Sequence, residues 1–214
     1  MATETVRNLF VNSDYSLSEK MRLRRWGLIN RLMPDLSEMK VLDLGGTKEW
    51  WLRAPVRPRH VTVMNLGAEE QTSWITTLTG DACYADKQLK GQSFDLVSSN
   101  SLIEHVGGHK AWSSLAQAIR SLAPRYVIQT PYRYFPIEPH WLFPGFQFLP
   151  LPLRARLAPR WPLGHTRGWP AAQARDEAMS TQLLTATEMR SYFPDGTLYW
   201  ERFLGLPKSM LLVR

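Results

Sequence analysis

Polar side chains that could do chemistry recur in one setting along this chain, each at or just after the end of an apolar or β-branched run. Asp43 follows Val41 and Leu42, Asn65 ends the run from His60, and Asp81 comes just after Leu78, Thr79 and Gly80. Asn100 ends the run from Ser93, and Thr130 ends the run from Tyr126. A carboxylate placed there can accept from an exocyclic amine, and an amide can both donate and accept. Gly45 and Gly46 follow Asp43 almost directly. Without Cβ atoms they permit a sharp turn whose backbone N–H groups come close to a nucleoside or an anion. Two adjacent glycines also serve as a plain turn, and Asp81 taken alone also reads as a solvated turn aspartate.

The elements that must hold these groups follow from periodicity. Residues 16–33 form an expected helix, with Ser16 three residues before Glu19 as in a capping box and with Met21, Leu28, Ile29, Leu32 and Met33 at helical spacing. Pro34 ends it, and a solvated face accounts for Arg22, Arg24 and Arg25. Strands are expected at Val41–Leu44, His60–Asn65, Leu78–Thr79, Ser93–Asn100 and Tyr126–Thr130, with an amphipathic helix from Ala111 to Leu122. Alternation of this kind gives an α/β, doubly wound, mostly parallel sheet whose ligand edge lies at the strand carboxyl ends. All five polar groups fall there. Asn65 stands one βαβ unit beyond Asp43, where a second strand ends beside the ribose of a bound nucleoside.

The 214 residues, 44% of them hydrophobic, suit one domain spanning 1–214. No run is long enough for a membrane span and Met1 to Tyr15 are polar, so the cytoplasm is the expected location. A lone cysteine, Cys83, excludes an internal disulfide and reads as a small buried hydrophobe. The net charge of +7 raises nucleic acid as a partner. The arginines, however, gather at 22–31 and 154–175, the second group among Trp, Leu and Pro, which fits an anionic substrate or a membrane surface equally well.

Taken together, Val41-Leu42-Asp43-Leu44-Gly45-Gly46, Asn65, Gly80-Asp81-Ala82 and Phe94-Asp95-Leu96-Val97 with Asn100 and Ile103-Glu104-His105-Val106 resemble the ordered motifs of class I S-adenosylmethionine-dependent methyltransferases of the bacterial small-molecule type. The resemblance implies a Rossmann-like seven-stranded sheet whose last strand is antiparallel. Thr197–Phe203 and Ser209–Val213 would supply the C-terminal antiparallel hairpin. It further implies S-adenosyl-L-methionine as cofactor, with Asp43 among its binding residues, Gly45 and Gly46 at its methionine part, Asn65 at the ribose, Asp81 and Ala82 at the adenine, and Asn100 near the amino acid or the methyl. His105 is then the expected base, with Glu104 orienting it or binding substrate. A purely structural role for both, fixing the loop, stands beside that reading.

Residues 132–175 are too long and aromatic for an ordinary connection and are expected to form an insertion over the active site. Tyr132, Tyr134, Glu138 and His140 would line the acceptor pocket. Residues 143–161, rich in Phe, Leu and Arg, would permit peripheral membrane contact or an oligomer contact. Glu138 and His140 are too few for a metal site, and no metal is expected. The expected reaction is methyl transfer to oxygen, or else nitrogen, of a small-molecule, sugar or lipid-linked acceptor. A non-catalytic binding or regulatory protein of the same fold is an alternative, and an RNA methyltransferase is another. Ser99-Asn100-Ser101-Leu102 stands where base-modifying relatives carry an Asn-Pro-Pro-Tyr motif, which argues against nucleic acid.

Overall fold

The computed structural model describes residues 17–67 and 70–214. Its main sheet has seven strands: β1 (Lys40–Leu44), β2 (His60–Asn65), β3 (Ile75–Thr79), β4 (Leu96–Asn100), β5 (Arg125–Pro131), β8 (Thr197–Phe203) and β9 (Leu206–Val213). The order is β3-β2-β1-β4-β5-β9-β8. β9 alone runs antiparallel, paired with β5 on one side and β8 on the other. The expected doubly wound sheet and closing hairpin are therefore present. β3 begins at Ile75, earlier than the apolar pattern indicates, because Ile75 pairs with Val61 and is fully buried.

Each strand shows one face to each of two apolar layers. Leu42, Leu44 and Met64 pack in one layer with the short α3 (Ala85–Gln88) and beneath helix α4 (Gly108–Leu122), whose Trp112, Leu115, Ile119 and Leu122 form the buried stripe. Helix α7 (Ala186–Tyr192) joins the same layer, started by a capping box between Thr185 and Glu188. Val41, Val61, Val63 and Leu96 face the other side, under α1 (Leu17–Leu32) and the short α2 (Lys48–Leu52). Trp26 of α1 stacks on Trp50, with ring centroids 4.6 Å apart, and meets Trp51 edge-on. That layer is thus closed by aromatic contacts which the aliphatic pattern of α1 does not reveal. Ser16, the expected cap of α1, lies outside the described residues.

One arginine of the supposed solvated face is instead anchored. Arg25 gives Nε to Glu201 Oε1 and Nη2 to Glu201 Oε2, each at 2.8 Å, and Nη1 to Asn100 Oδ1. Ser209 Oγ donates to the same Glu201 carboxylate at 2.6 Å. With side chains only 10% and 9% exposed, this forked pair ties α1 across the strand ends.

The segment after β5 builds a small layer of its own from β6 (Ile137–Glu138), β7 (Phe143–Pro144), α5 (Leu151–Leu157) and α6 (Ala171–Ser180). Trp141, Phe146, Ala158 and Ala178 form its buried cluster. The packed unit runs on past residue 175, because Ala178 closes the cluster and Arg154 Nη1 reaches Thr181 O at 3.1 Å. Arg154 is thus a buried tether, whereas Arg156 and Arg160 stay exposed. Among the described residues no helix is long and apolar enough to cross a membrane.

Arg25→Ala strands the Glu201 carboxylate in a site with little solvent. Thermal and denaturant unfolding followed by circular dichroism is expected to show a loss of about 3 kcal/mol, the scale for removing one partner of a buried pair. A loss below about 0.5 kcal/mol would mean that the pair behaves as an exposed one.

Candidate functional site

The turn after β1 is held from below. Asp43 is fully buried, and its Oδ2 accepts from Trp51 Nε1 at 2.7 Å. The same oxygen lies so close to Gly46 that a Cβ there would sit 1.7 Å from it. Gly45 has φ +74°, and a Cβ on it would meet Leu102 at 2.6 Å. Both glycines are therefore required by geometry, one by close approach and one by close approach together with a left-handed backbone. Burial pushes the Asp43 carboxyl up to about 7, against the hydrogen bonds from Trp51 and Ser98.

Above this turn lies a cleft of about 520 Å³ at the carboxyl ends of β1, β2 and β3. Gly45, Asn65, Asp81 and Ala82 line one side, and Leu102, His105 and Lys110 the other. Asn65 fixes the turn as well as bordering the cleft: Nδ2 donates to Gly46 O at 2.9 Å and Oδ1 accepts from Leu66 N at 2.8 Å. Each of these amide atoms keeps one further hydrogen-bonding position. Asp81 Oδ1 caps the short 3-10 turn Ala82–Tyr84 by accepting from Cys83 N at 2.9 Å. Cys83 is buried and its thiol is pushed up to about 11, chiefly by burial and then by Asp81, which disfavours the thiolate.

Ser101 turns the chain out of β4 with φ +53°, held by Ser101 N to Gln129 O and Ser101 Oγ to Gln129 Oε1, both 3.0 Å. Two bonds from β5 thus enforce a conformation that a serine seldom adopts. The turn sends Leu102 across Gly45 and Glu104 into the core, where Thr130 Oγ1 donates to Glu104 Oε2 at 2.9 Å. Glu104 is fully buried, and its Oε1 has no hydrogen-bond partner.

His105, at the rim of the cleft, meets the insertion. Its Nδ1 lies 3.2 Å from Glu177 Oε1 and 3.3 Å from Thr181 Oγ1, and its Nε2 lies 3.2 Å from His140 Nε2. On the far side, His140 Nδ1 sits 2.6 Å from Glu138 Oε1, and Glu138 Oε2 accepts from Trp141 N at 2.9 Å. Burial disfavours the charge on His140, but Glu138 by charge and hydrogen bond, then Glu104 and Glu177 by charge, prevail and raise it to about 9. Glu177 is held far below the usual carboxylate range, first by its contact with His105 and then by His165, whose Nε2 is 3.3 Å away.

The expected site residues therefore divide. Gly45, Asn65, Asp81, Ala82 and His105 share the cleft, while Asp43 and Gly46 build its floor. Asn100 is engaged by Arg25 and does not border the cleft. Glu138 and His140 join Glu104 and His105. Tyr132 packs edge-on against Trp200 at 4.8 Å, and Tyr134, 59% exposed, stacks on Phe148, so neither lines the cleft. Glu177 and Thr181 carry no spacing signal, since they reach His105 only through the packing of α6, and His165 touches Glu177 in turn.

The strand order and the single antiparallel strand can now be set beside known structures. The chain superposes on a S-adenosylmethionine-dependent methyltransferase from Archaeoglobus fulgidus with a TM-score of 0.56 at 10% identity, covering 98% of this chain and 97% of that one. The class I methyltransferase fold is present. Magnesium protoporphyrin IX methyltransferase from Synechocystis PCC 6803, solved with bound S-adenosylhomocysteine, shares this fold with a TM-score of 0.55 at 12% identity, over 99% of this chain and 93% of that one. An O-methyltransferase family protein from Burkholderia thailandensis matches with a TM-score of 0.50 at 12% identity over 92% of this chain, which spans only 58% of that protein's length. No protein-family model and no curated protein matches the sequence.

The floor of the methyltransferase fold yields a pH prediction. Because the folded Asp43 carboxyl titrates above its ordinary 3.8, the native state holds a proton that the unfolded chain has released between pH 3.8 and about 7. Stability contributed by this group is full below that window and falls as pH rises through it. Asp43→Asn, which can still accept from Trp51, is expected to flatten that slope in denaturant titrations at pH 4.5 and 8. An unchanged slope would assign it to other groups.

Proposed function

We propose that this protein is an enzyme that transfers a methyl group from S-adenosyl-L-methionine to an oxygen of a small-molecule acceptor. The observation that carries the reading is the cleft at the ends of β1–β3, with Gly45, Asn65 and Asp81 on one wall and His105 on the other. Its volume suits a nucleoside-sized ligand. The glycine turn admits close approach, Asn65 keeps donor and acceptor capacity for ribose hydroxyls, and Asp81 Oδ2 can accept from an adenine amine. Asp43 and Gly46 act beneath the ligand rather than on it.

When bound, the cofactor supplies an electrophilic sulfonium methyl whose sulfur leaves as a neutral thioether. The chain aligns the acceptor oxygen in line with that methyl and excludes water, and at His105 it takes the acceptor's proton. Glu177 and Thr181 face His105 Nδ1, which directs Nε2 toward the reacting side. The acceptor hydroxyl would displace His140 from that nitrogen. Oxygen is favoured over nitrogen because a hydroxyl needs a base in place, whereas a neutral amine attacks unaided. Glu104 is a positioning residue, held by Thr130 behind His105.

A lipid-linked acceptor is the second reading. It is supported by the exposed Phe148, Leu151 and Leu153 beside the exposed Arg156 and Arg160, a mixture suited to an anionic interface.

Calorimetry with S-adenosylhomocysteine is expected to show one site on the intact chain; absence of binding would overturn the cofactor assignment. Labelled methyl transfer into fractionated small-molecule extracts then tests turnover. His105→Ala is expected to lower turnover by about 10²–10⁴-fold while leaving the S-adenosylhomocysteine affinity within about threefold. Equal turnover would remove His105 as the base.

A further inference from the structure

The two imidazoles and the buried carboxylate beside the cleft have a geometry that proton transfer alone does not require. His105 Nε2 and His140 Nε2 point at one another across 3.2 Å, and Glu104 Oε1 lies 4.0 Å from His140 Nε2. One ligand atom from each of these three residues falls within 4.8 Å of the others. Adjacent ligands bound at about 2.1 Å stand about 3.0 Å apart in octahedral and about 3.4 Å apart in tetrahedral coordination, and the two nitrogens fall between these values. Bringing Glu104 onto the same side of one ion shortens its 4.0 Å edge to His140 by about 0.6–1.0 Å and an edge as long as 4.8 Å by about 1.4–1.8 Å, within the reach of a glutamate side-chain rotation.

The surroundings match the ligands. The second nitrogen of each imidazole is already occupied by a carboxylate, His140 Nδ1 by Glu138 and His105 Nδ1 by Glu177. This is the outer arrangement that fixes the ring of a metal-binding histidine and raises its basicity. Glu104 Oε2 is taken by Thr130, so the free oxygen is the one facing the histidines, and it is buried without a partner. Leaving such an atom unpaired is costly unless something completes it.

We propose that Glu104 Oε1, His105 Nε2 and His140 Nε2 form a site for one divalent first-row cation such as Zn²⁺, Co²⁺ or Mn²⁺. Two imidazoles with one carboxylate, all on one side, leave coordination positions open toward the cleft. Glu138 and Glu177 are positioning residues that act through the histidines. Three carboxylates around the site offset the charge of the cation. The binding claim stands apart from the methyl-transfer reading. One further consequence rests on that reading: His105 Nε2 serves as base in the metal-free protein, and with a cation bound it would be a ligand while the cation lowers the pKa of the acceptor hydroxyl.

The test uses the untagged 214-residue chain, stripped with chelator and titrated with Co²⁺ and Zn²⁺. One saturable equivalent is expected, with a visible Co²⁺ absorption band that Zn²⁺ abolishes and a rise in unfolding temperature. His140→Ala and Glu104→Gln are expected to weaken binding at least tenfold. Glu138→Gln, which removes no ligand, is expected to weaken it by roughly 10–100-fold. Absence of a saturable site in the folded wild-type chain overturns the proposal, whatever the variants do. Variants that bind as tightly as wild type also overturn it, by moving the ion to His60, His109 or another surface group. S-adenosylhomocysteine calorimetry on the same samples reads the cofactor cleft separately, so failure of either assignment leaves the other visible.

Discussion

The position of the cleft depends on a carboxylate sealed beneath the turn that follows it. Asp43 accepts from Trp51 and presses against Gly46, which fixes the path of the backbone from β1 into α2. Asn65 then ties the end of β2 to the same turn through Gly46 O. Two strand ends and a helix start are thereby locked by two short hydrogen bonds in a region otherwise closed by Trp26, Trp50 and Trp51. A side chain at either glycine would displace the carboxylate or Leu102, so this floor tolerates little change.

The opposite wall is built by a second constraint of the same kind. The left-handed Ser101 is held by two bonds from Gln129, and Thr130 on the same strand holds Glu104. β5 therefore sets both where the chain leaves β4 and how the buried acid is aimed. Strain at the sheet edge is balanced by a ladder neighbour, which suits a position that must present functional groups accurately.

Much of the scaffold was legible because its signals are local. Strands separated in sequence announce themselves by β-branched runs, and the glycine turn is a short pattern with direct mechanical meaning. The cleft wall at Gly45, Asn65, Asp81 and His105 was readable for the same reason, since strand ends converge in any parallel sheet. What escaped the sequence rests on distant pairs. Arg25 reads as solvated until Glu201, 176 residues away, is brought beside it, and Asn100 is claimed by that same pair. Glu138 and His140 look like two isolated ligands because Glu104 and His105 reach them only when the insertion folds back over β4. Asp43 left a faint clue in Trp51, since a buried indole N–H needs an acceptor nearby.

The insertion closes an apolar cluster of its own around Trp141, Phe146, Ala158 and Ala178. Such a segment can accumulate substitutions, or be exchanged for another, without disturbing strand pairing beneath it. The molecule is in effect two mechanical compartments, one pinned by close contact at the glycine turn and one closed around its own aromatic cluster. The two meet at His105, which His140 and Glu177 of the second compartment touch, with Glu138 behind His140, so a shift of either compartment is felt first at those imidazoles.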